Sequence, residues 1–163
     1  MTASRPTTDL CDEYGDQLQV LDPAFIDFGG VASFSGIVTT LQVHEDNTLV
    51  RDVLASSGVG QVLVVDGGRS VSCALVGGNL AKLAEANHWS GIVVWGAVRD
   101  VLEIRQCRIG VRALAANPRK SRKAGAGRRD VPIQIAGATV HPGHWLAADA
   151  DGIVLSPAPL GQV

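Results

Sequence analysis

Two short runs, Gln61-Val62-Leu63-Val64-Val65 and Ile92-Val93-Val94-Trp95, limit what this chain can fold into more than any other feature. Each is apolar continuously rather than at every second position, the pattern of a strand covered on both faces. Between them lies Leu80-Ala81-Lys82-Leu83-Ala84-Glu85-Ala86. These are good helix formers, with Leu80, Leu83 and Ala84 on one side. Strand, helix, strand makes a βαβ unit, whose crossover is expected to be right-handed. The core of the fold is therefore predicted to be α/β.

The flanks extend this pattern. Thr7 to Tyr14 reads as a short helix, with Thr7 or Thr8 as N-cap and acidic residues in its first turn. Asp22-Pro23 and Phe28-Gly29-Gly30 read as loop. Ser35 to Val43 is β-branched and bounded by glycine, hence a strand. Leu49, Val50, Val53 and Leu54 fall at helical spacing behind Asn47, the expected cap. Val101 to Arg105 reads as a short helix and Val111 to Ala115 as a strand. After residue 130, Ile133-Gln134-Ile135, Ala138-Thr139-Val140, Trp145-Leu146-Ala147 and Ile153-Val154-Leu155 alternate with turns, which predicts a small C-terminal antiparallel β meander. No internal repeat or linker interrupts residues 1–163, so a single domain is expected.

Composition narrows the function classes. A hydrophobic share of 46% with 18% charged residues is globular. A net charge of −2 gives no global pull toward nucleic acid or membrane. No apolar run approaches membrane-spanning length, and Met1 to Pro6 lacks the apolar centre of a signal peptide. Cys11, Cys73 and Cys107 are odd in number and widely spaced, as in a reduced, cytoplasmic protein. His44, His88, His141 and His144 show no metal-ligand spacing. His144 is the one that merits testing for pH sensitivity.

The chemistry concentrates at the ends of the two apolar strands, where open α/β sheets bind ligands. Gly77-Gly78-Asn79-Leu80 opens the central helix, and Gly96-Ala97-Val98-Arg99-Asp100 ends the second strand. A helix start offers free N–H groups to an anion. Arg99 offers a planar fork for a carboxylate or polarised carbonyl oxygen. Asp100 offers a hard oxygen to Mg²⁺ or Mn²⁺. The bland alternative is a glycine turn before a helix and a surface Arg-Asp pair. A second feature is the basic, glycine-rich stretch Asn117 to Arg129, with Arg119, Lys120, Arg122, Lys123, Arg128 and Arg129. It reads first as a solvated loop, since no aromatic residues interleave for base stacking. Binding to RNA, to an acidic protein surface or to a polyanionic metabolite is the alternative.

Several ordered segments together resemble the RraA-like family, which includes the regulator of ribonuclease activity A and the class II 4-hydroxy-4-methyl-2-oxoglutarate aldolases. They are Asp9-Leu10-Cys11-Asp12, Phe28-Gly29-Gly30, Glu45-Asp46-Asn47, Val62 to Gly68, Trp89-Ser90-Gly91, Gly96 to Asp100, Asn117-Pro118-Arg119-Lys120 and Asp149-Ala150-Asp151-Gly152. The resemblance implies a layered α/β fold and a homotrimer with active sites between subunits. It implies a divalent-metal-dependent lyase that releases pyruvate from 4-hydroxy-4-methyl-2-oxoglutarate, with oxaloacetate decarboxylation as a side activity. Catalysis would rest on Arg99 and Asp100, substrate binding on Gly77, Gly78, Asn79, Leu80 and Arg99, and the metal on Asp100. The other branch of the family implies a non-catalytic regulator that binds an RNase E-type endonuclease. Active members carry an aspartate with twenty residues between it and the arginine, and Gly78 stands in that place. Restoring it by Gly78→Asp is therefore expected to raise turnover. The family's Pro-Gly-Asp turn also differs, reading Pro142-Gly143-His144. No glycine fingerprint followed by a ribose-binding acid is present, which argues against a methyl-donor site.

Overall fold

A computed structural model describes residues 4–160. Its centre is a run of four parallel strands, β3 (Phe34–Gln42), β4 (Gln61–Asp66), β6 (Gly91–Val98) and β7 (Gly110–Ala116), adjacent in that order. The crossovers are α2 (Thr48–Leu54) from β3 to β4, α3 (Gly78–Ala86) from β4 to β6, and α4 (Val101–Gln106) from β6 to β7. A short strand, β5 (Ala74–Val76), precedes α3 and pairs with the C-terminal end of β6. The predicted βαβ unit is thus present and is one of three.

The doubly buried pattern has its expected cause. Leu41, Leu63, Val65, Ile92, Val94 and Val111 face the helices and pack with Val50, Leu54, Leu80, Ala84 and Ile104. Val38, Val62, Val64 and Val93 face the other way, against Ile133, Ile135, Val140, Leu146 and Leu155. Both faces are covered, so alternation is suppressed. The result is three layers, with helices on one side of the sheet and a β hairpin on the other.

The C-terminal third is not one meander. Only β9 (Ile133–Ile135) and β10 (Ala138–Val140) form a separate two-stranded sheet. β11 (Trp145–Ala148) joins the main sheet antiparallel to β3, with β12 (Ile153–Ser156) beside it and β1 (Gln19–Val20) at the edge. All four residues of β11 and all four of β12 are buried, more than a half-exposed meander would bury. At the opposite edge β2 (Ile26–Asp27), inside the stretch predicted as loop, pairs with β7. Arg128–Arg129, predicted as loop, forms β8 against the end of β3.

The helix starts also differ from the local capping rules. The N-cap of α1 (Thr7–Tyr14) is Pro6, not a threonine. The Thr7 N–H and Oγ1 both donate to Asp149, each at 2.7 Å. Asn47 occupies the N-cap of α2, but its side chain does not cap. Its Nδ2 donates to the Leu75 carbonyl, and Asp46 Oδ1 accepts from the Thr48 N–H at 3.0 Å instead.

The two ends of the strand order face each other across a cleft. Arg112 on β7 is almost fully buried and donates through Nη2 to the carbonyls of Ala32 (2.6 Å) and Asp149 (3.2 Å). Its Nη1 lies 3.0 Å from Asp27 Oδ1, close but out of hydrogen-bond alignment. A cleft of about 400 Å³, lined by Leu21, Phe25, Asp27, Arg112, Asp149 and Ile153 among others, marks the seam. No helix of the described residues is long and apolar enough to cross a membrane.

Candidate functional site

β6 and β5 run side by side to the start of α3, and this brings the candidate residues together. The Arg99 N–H donates to the Val76 carbonyl at 2.9 Å, which fixes the end of β6 beside the end of β5. One residue later the chain turns sharply. Asp100 takes the left-handed conformation, φ 56° and ψ 45°, and serves as the N-cap of α4. This turn carries its carboxylate back over Gly77, the N-cap of α3.

Asp100 Oδ2 accepts the Gly78 N–H at 3.0 Å. The first free donor of α3 is thereby satisfied by the residue that caps α4 rather than by its own cap. The next two N–H groups, of Asn79 and Leu80, find no acceptor among the described residues. Arg99 Nε stands 4.0 Å from Asp100 Oδ2, and Arg99 Nη1 donates to the Pro118 carbonyl at 3.4 Å. Both side chains are about 40% exposed, so each can meet a ligand.

These groups border a small polar recess of about 100 Å³. Gly77, Asn79, Leu80, Arg99 and Asp100 all line it. Gly78 does not; it is buried beneath, with its α-carbon facing Glu103. The Leu80 side chain is 4% exposed and belongs mainly to the core, so its N–H is the part offered to a ligand. Five of the six residues that sequence reasoning gathered thus meet at one surface.

The sequence reading missed the opposite wall. Arg51 and Asn47 reach the recess from α2, and Lys120, Ser121 and Lys123 from the basic loop. The loop is not simply solvated. The Ala74 N–H donates to the Arg119 carbonyl at 2.8 Å, and the Arg122 N–H to the Glu45 carbonyl at 2.9 Å. Asp46, 3% exposed, accepts the N–H groups of Ala124 (2.8 Å) and Ala126 (3.3 Å) as well as that of Thr48. Burial works against charge on Asp46, but these donors outweigh it and hold its carboxyl below the usual range. The only hint in the sequence was Asn117-Pro118-Arg119-Lys120 itself, which gives no direction in space.

A metal would find one carboxylate in the recess. Among the described residues no three His, Cys, Asp or Glu side chains gather as a ligand set. Asp100 Oδ1 makes no hydrogen bond there, and the carboxylate is half-exposed. One free carboxylate oxygen fits a hard cation held chiefly by water and ligand oxygens, as Mg²⁺ commonly is. His141 and His144 lie in the turn before β11, outside the recess lining, with their rings edge to face 5.0 Å apart. Burial, and then the neighbouring ring, hold His144 below the usual histidine range.

Fold and recess together define an α/β protein with a polar recess, lined by Arg99, Asp100 and the start of α3, at the carboxyl ends of its parallel strands. The family described as Aldolase/RraA (RraA-like) matches residues 7–155, and the chain belongs to that family. A relative from Paraburkholderia phymatum, named "Putative 4-hydroxy-4-methyl-2-oxoglutarate aldolase", is 55% identical over 94% of this chain and 97% of its own. The solved structure of the RNA-processing inhibitor RraA from Thermus thermophilis is 52% identical, with a TM-score of 0.94, over 98% of this chain and 97% of its own. A solved structure from Geobacillus kaustophilus, named S-adenosylmethionine: 2-dimethylmenaquinone methyltransferase, is 43% identical with the same TM-score, over 96% and 97%.

Proposed function

We propose that this chain is a lyase that cleaves 4-hydroxy-4-methyl-2-oxoglutarate to pyruvate and decarboxylates oxaloacetate by the same enolate route. The observation that carries this reading is the juxtaposition of Arg99, Asp100 and the open N–H groups of Asn79 and Leu80 around one small recess. Those N–H groups and the positive end of α3 receive the carboxylate of a 2-oxo acid. The Arg99 guanidinium faces the oxygen that gains negative charge when the C3–C4 bond breaks and an enolate forms. As the bond breaks the C4 hydroxyl gives its proton to water and C4 becomes the carbonyl of one pyruvate, and protonation of the enolate at C3 yields the other. Asp100 is the residue that would hold a divalent cation, Mg²⁺ or Mn²⁺, which when bound supplies Lewis-acid polarisation of the 2-oxo group. The resemblance supports a homotrimer. The methyltransferase name is not carried over, because the chain has no methyl-donor fingerprint.

The test is pyruvate release from 4-hydroxy-4-methyl-2-oxoglutarate and from oxaloacetate, with and without Mg²⁺, beside Asp100→Asn. The expected result is Mg²⁺-dependent release that falls at least a hundredfold in the variant. Release that is unchanged by Asp100→Asn overturns the site. A second reading is favoured by the 52% identical RNA-processing inhibitor: a regulator that binds an RNase E-type endonuclease. It requires measurable binding to that purified enzyme, and absence of binding at micromolar concentration rejects it.

A further inference from the structure

The recess holds more positive charge than one carboxylate calls for. Four cations line it, Arg51, Arg99, Lys120 and Lys123, against the single carboxylate of Asp100. The pairing of the basic stretch is uneven. Arg122 pairs with Glu45 at 3.6 Å and Arg129 with Asp52 at 3.4 Å, and neither lines the recess. Lys120 and Lys123, which do line it, have no carboxylate within 4.0 Å among the described residues, and neither has Arg51. Lys123 Nζ reaches only the neutral Oδ1 of Asn47, at 3.4 Å.

This wall is also built in place. Residue 120 bridges to Ala74 and residue 122 to Asp46 as isolated β-bridges, and buried Asp46 ties down the N–H groups of Ala124 and Ala126. Two separate elements, α2 and the loop, therefore present unpaired cations to the same small volume that Arg99 enters from a third. Like charges held close are unfavourable unless an anion joins them. One carboxylate on the α3 N–H groups and Arg99 leaves the far wall without a partner.

We propose that Lys120 and Lys123, with Arg51, form a second anion subsite that takes the distal carboxylate of a short dicarboxylic acid. The inference rests on the lyase reading for the first carboxylate only. The second subsite makes a specificity device. A ligand with two carboxylates bridges the recess, whereas its monocarboxylate product is held at one end and released.

The test pairs ligands that differ by one carboxylate. Calorimetric binding of malate and lactate, neither of which is a substrate, is measured on the full chain and on the Lys120→Met/Lys123→Met double variant. Methionine keeps the apolar stem, and a thermal melt verifies folding. The wild type is expected to bind malate at least tenfold more tightly than lactate, and the variant to lose that preference while its lactate affinity stays within twofold. For turnover, KM for oxaloacetate is expected to rise at least tenfold with kcat within threefold, and inhibition by pyruvate to stay unchanged. A wild type without preference, a variant that keeps it, or an equal loss of pyruvate affinity overturns the subsite. If no pyruvate is released but the malate preference is present and lysine-dependent, the lyase reading falls and the subsite stands.

Discussion

Gly77 has an ordinary extended backbone, φ −120° and ψ −169°, so conformational freedom does not explain why it is glycine. Space does. A Cβ there would stand 2.8 Å from Asp100 Oδ2 and 3.3 Å from Arg99 Cγ. Gly77→Ala is therefore expected to push the carboxylate off the Gly78 N–H and lower pyruvate release at least tenfold. Stability should change by only about 1 kcal/mol, as for a surface substitution that leaves the core intact, and a urea titration beside the assay checks this. Gly78 is constrained differently. A Cβ there would run into Glu103 Oε2 and lie 3.0 Å from its Cδ, so a restored aspartate meets a carboxylate already in place. Gly78→Asp alone is expected to leave turnover flat or lower. Gly78→Asp with Glu103→Ala should exceed it, and steady-state kinetics of both variants decide. Arg99 and Asp100 were legible as a pair because neighbours in sequence stay neighbours. Arg51, Lys120 and Lys123 were not, because nothing local says that α2 and a distant loop face the same strand ends.

Three helices here begin in the same unusual way, with an aspartate outside the N-cap position accepting the first N–H. Asp149 serves α1, Asp46 serves α2 and Asp100 serves α3. Capping rules read from sequence look for a partner at the cap itself, so they placed the elements and missed their fasteners. Asp46 does the most, because the same carboxylate holds the start of α2 and the basic loop. Asp46→Ala would strand these N–H donors, and unfolding in urea at pH 7 should show a loss of about 1–3 kcal/mol. The pH dependence follows with a definite sign. Asp46 and Asp149 are opposed by burial but held below the usual carboxylate range by their donors. A depressed folded-state value gives stability that is present above the unfolded value of about 3.9 and lost as pH falls through the folded one. Stability measured from pH 6 to 2 should decline below about pH 4, and Asp46→Asn should flatten part of that decline.

At the scale of the molecule, the parallel core was readable from doubly apolar strands, and its edges were not. β2 and β8 are two residues long, and such strands carry no periodic signal. β11 and β12 left the expected meander because their four-residue runs are buried throughout, which only a place within the large sheet allows. Arg112 ties β7 to the turn between β11 and β12. Arg112→Leu removes the hydrogen bonds to Ala32 and Asp149 and the nearer of the two arginines beside Asp27, and a loss of about 3 kcal/mol is expected by urea unfolding. Assembly is checked separately. Light scattering should give about three times the 17.0 kDa of one chain if the proposed homotrimer forms.

The left-handed turn at Asp100 has an evolutionary consequence. Most side chains held at φ 56° cost about 1–2 kcal/mol, whereas glycine and asparagine sit there readily. A descendant can thus discard the acid through Asn or Gly and keep every strand and helix as it is. Drift toward Ala or Val meets a folding penalty first. On the lyase reading proposed above, loss of the metal-holding acid at this position then needs one tolerated substitution and leaves the scaffold unchanged.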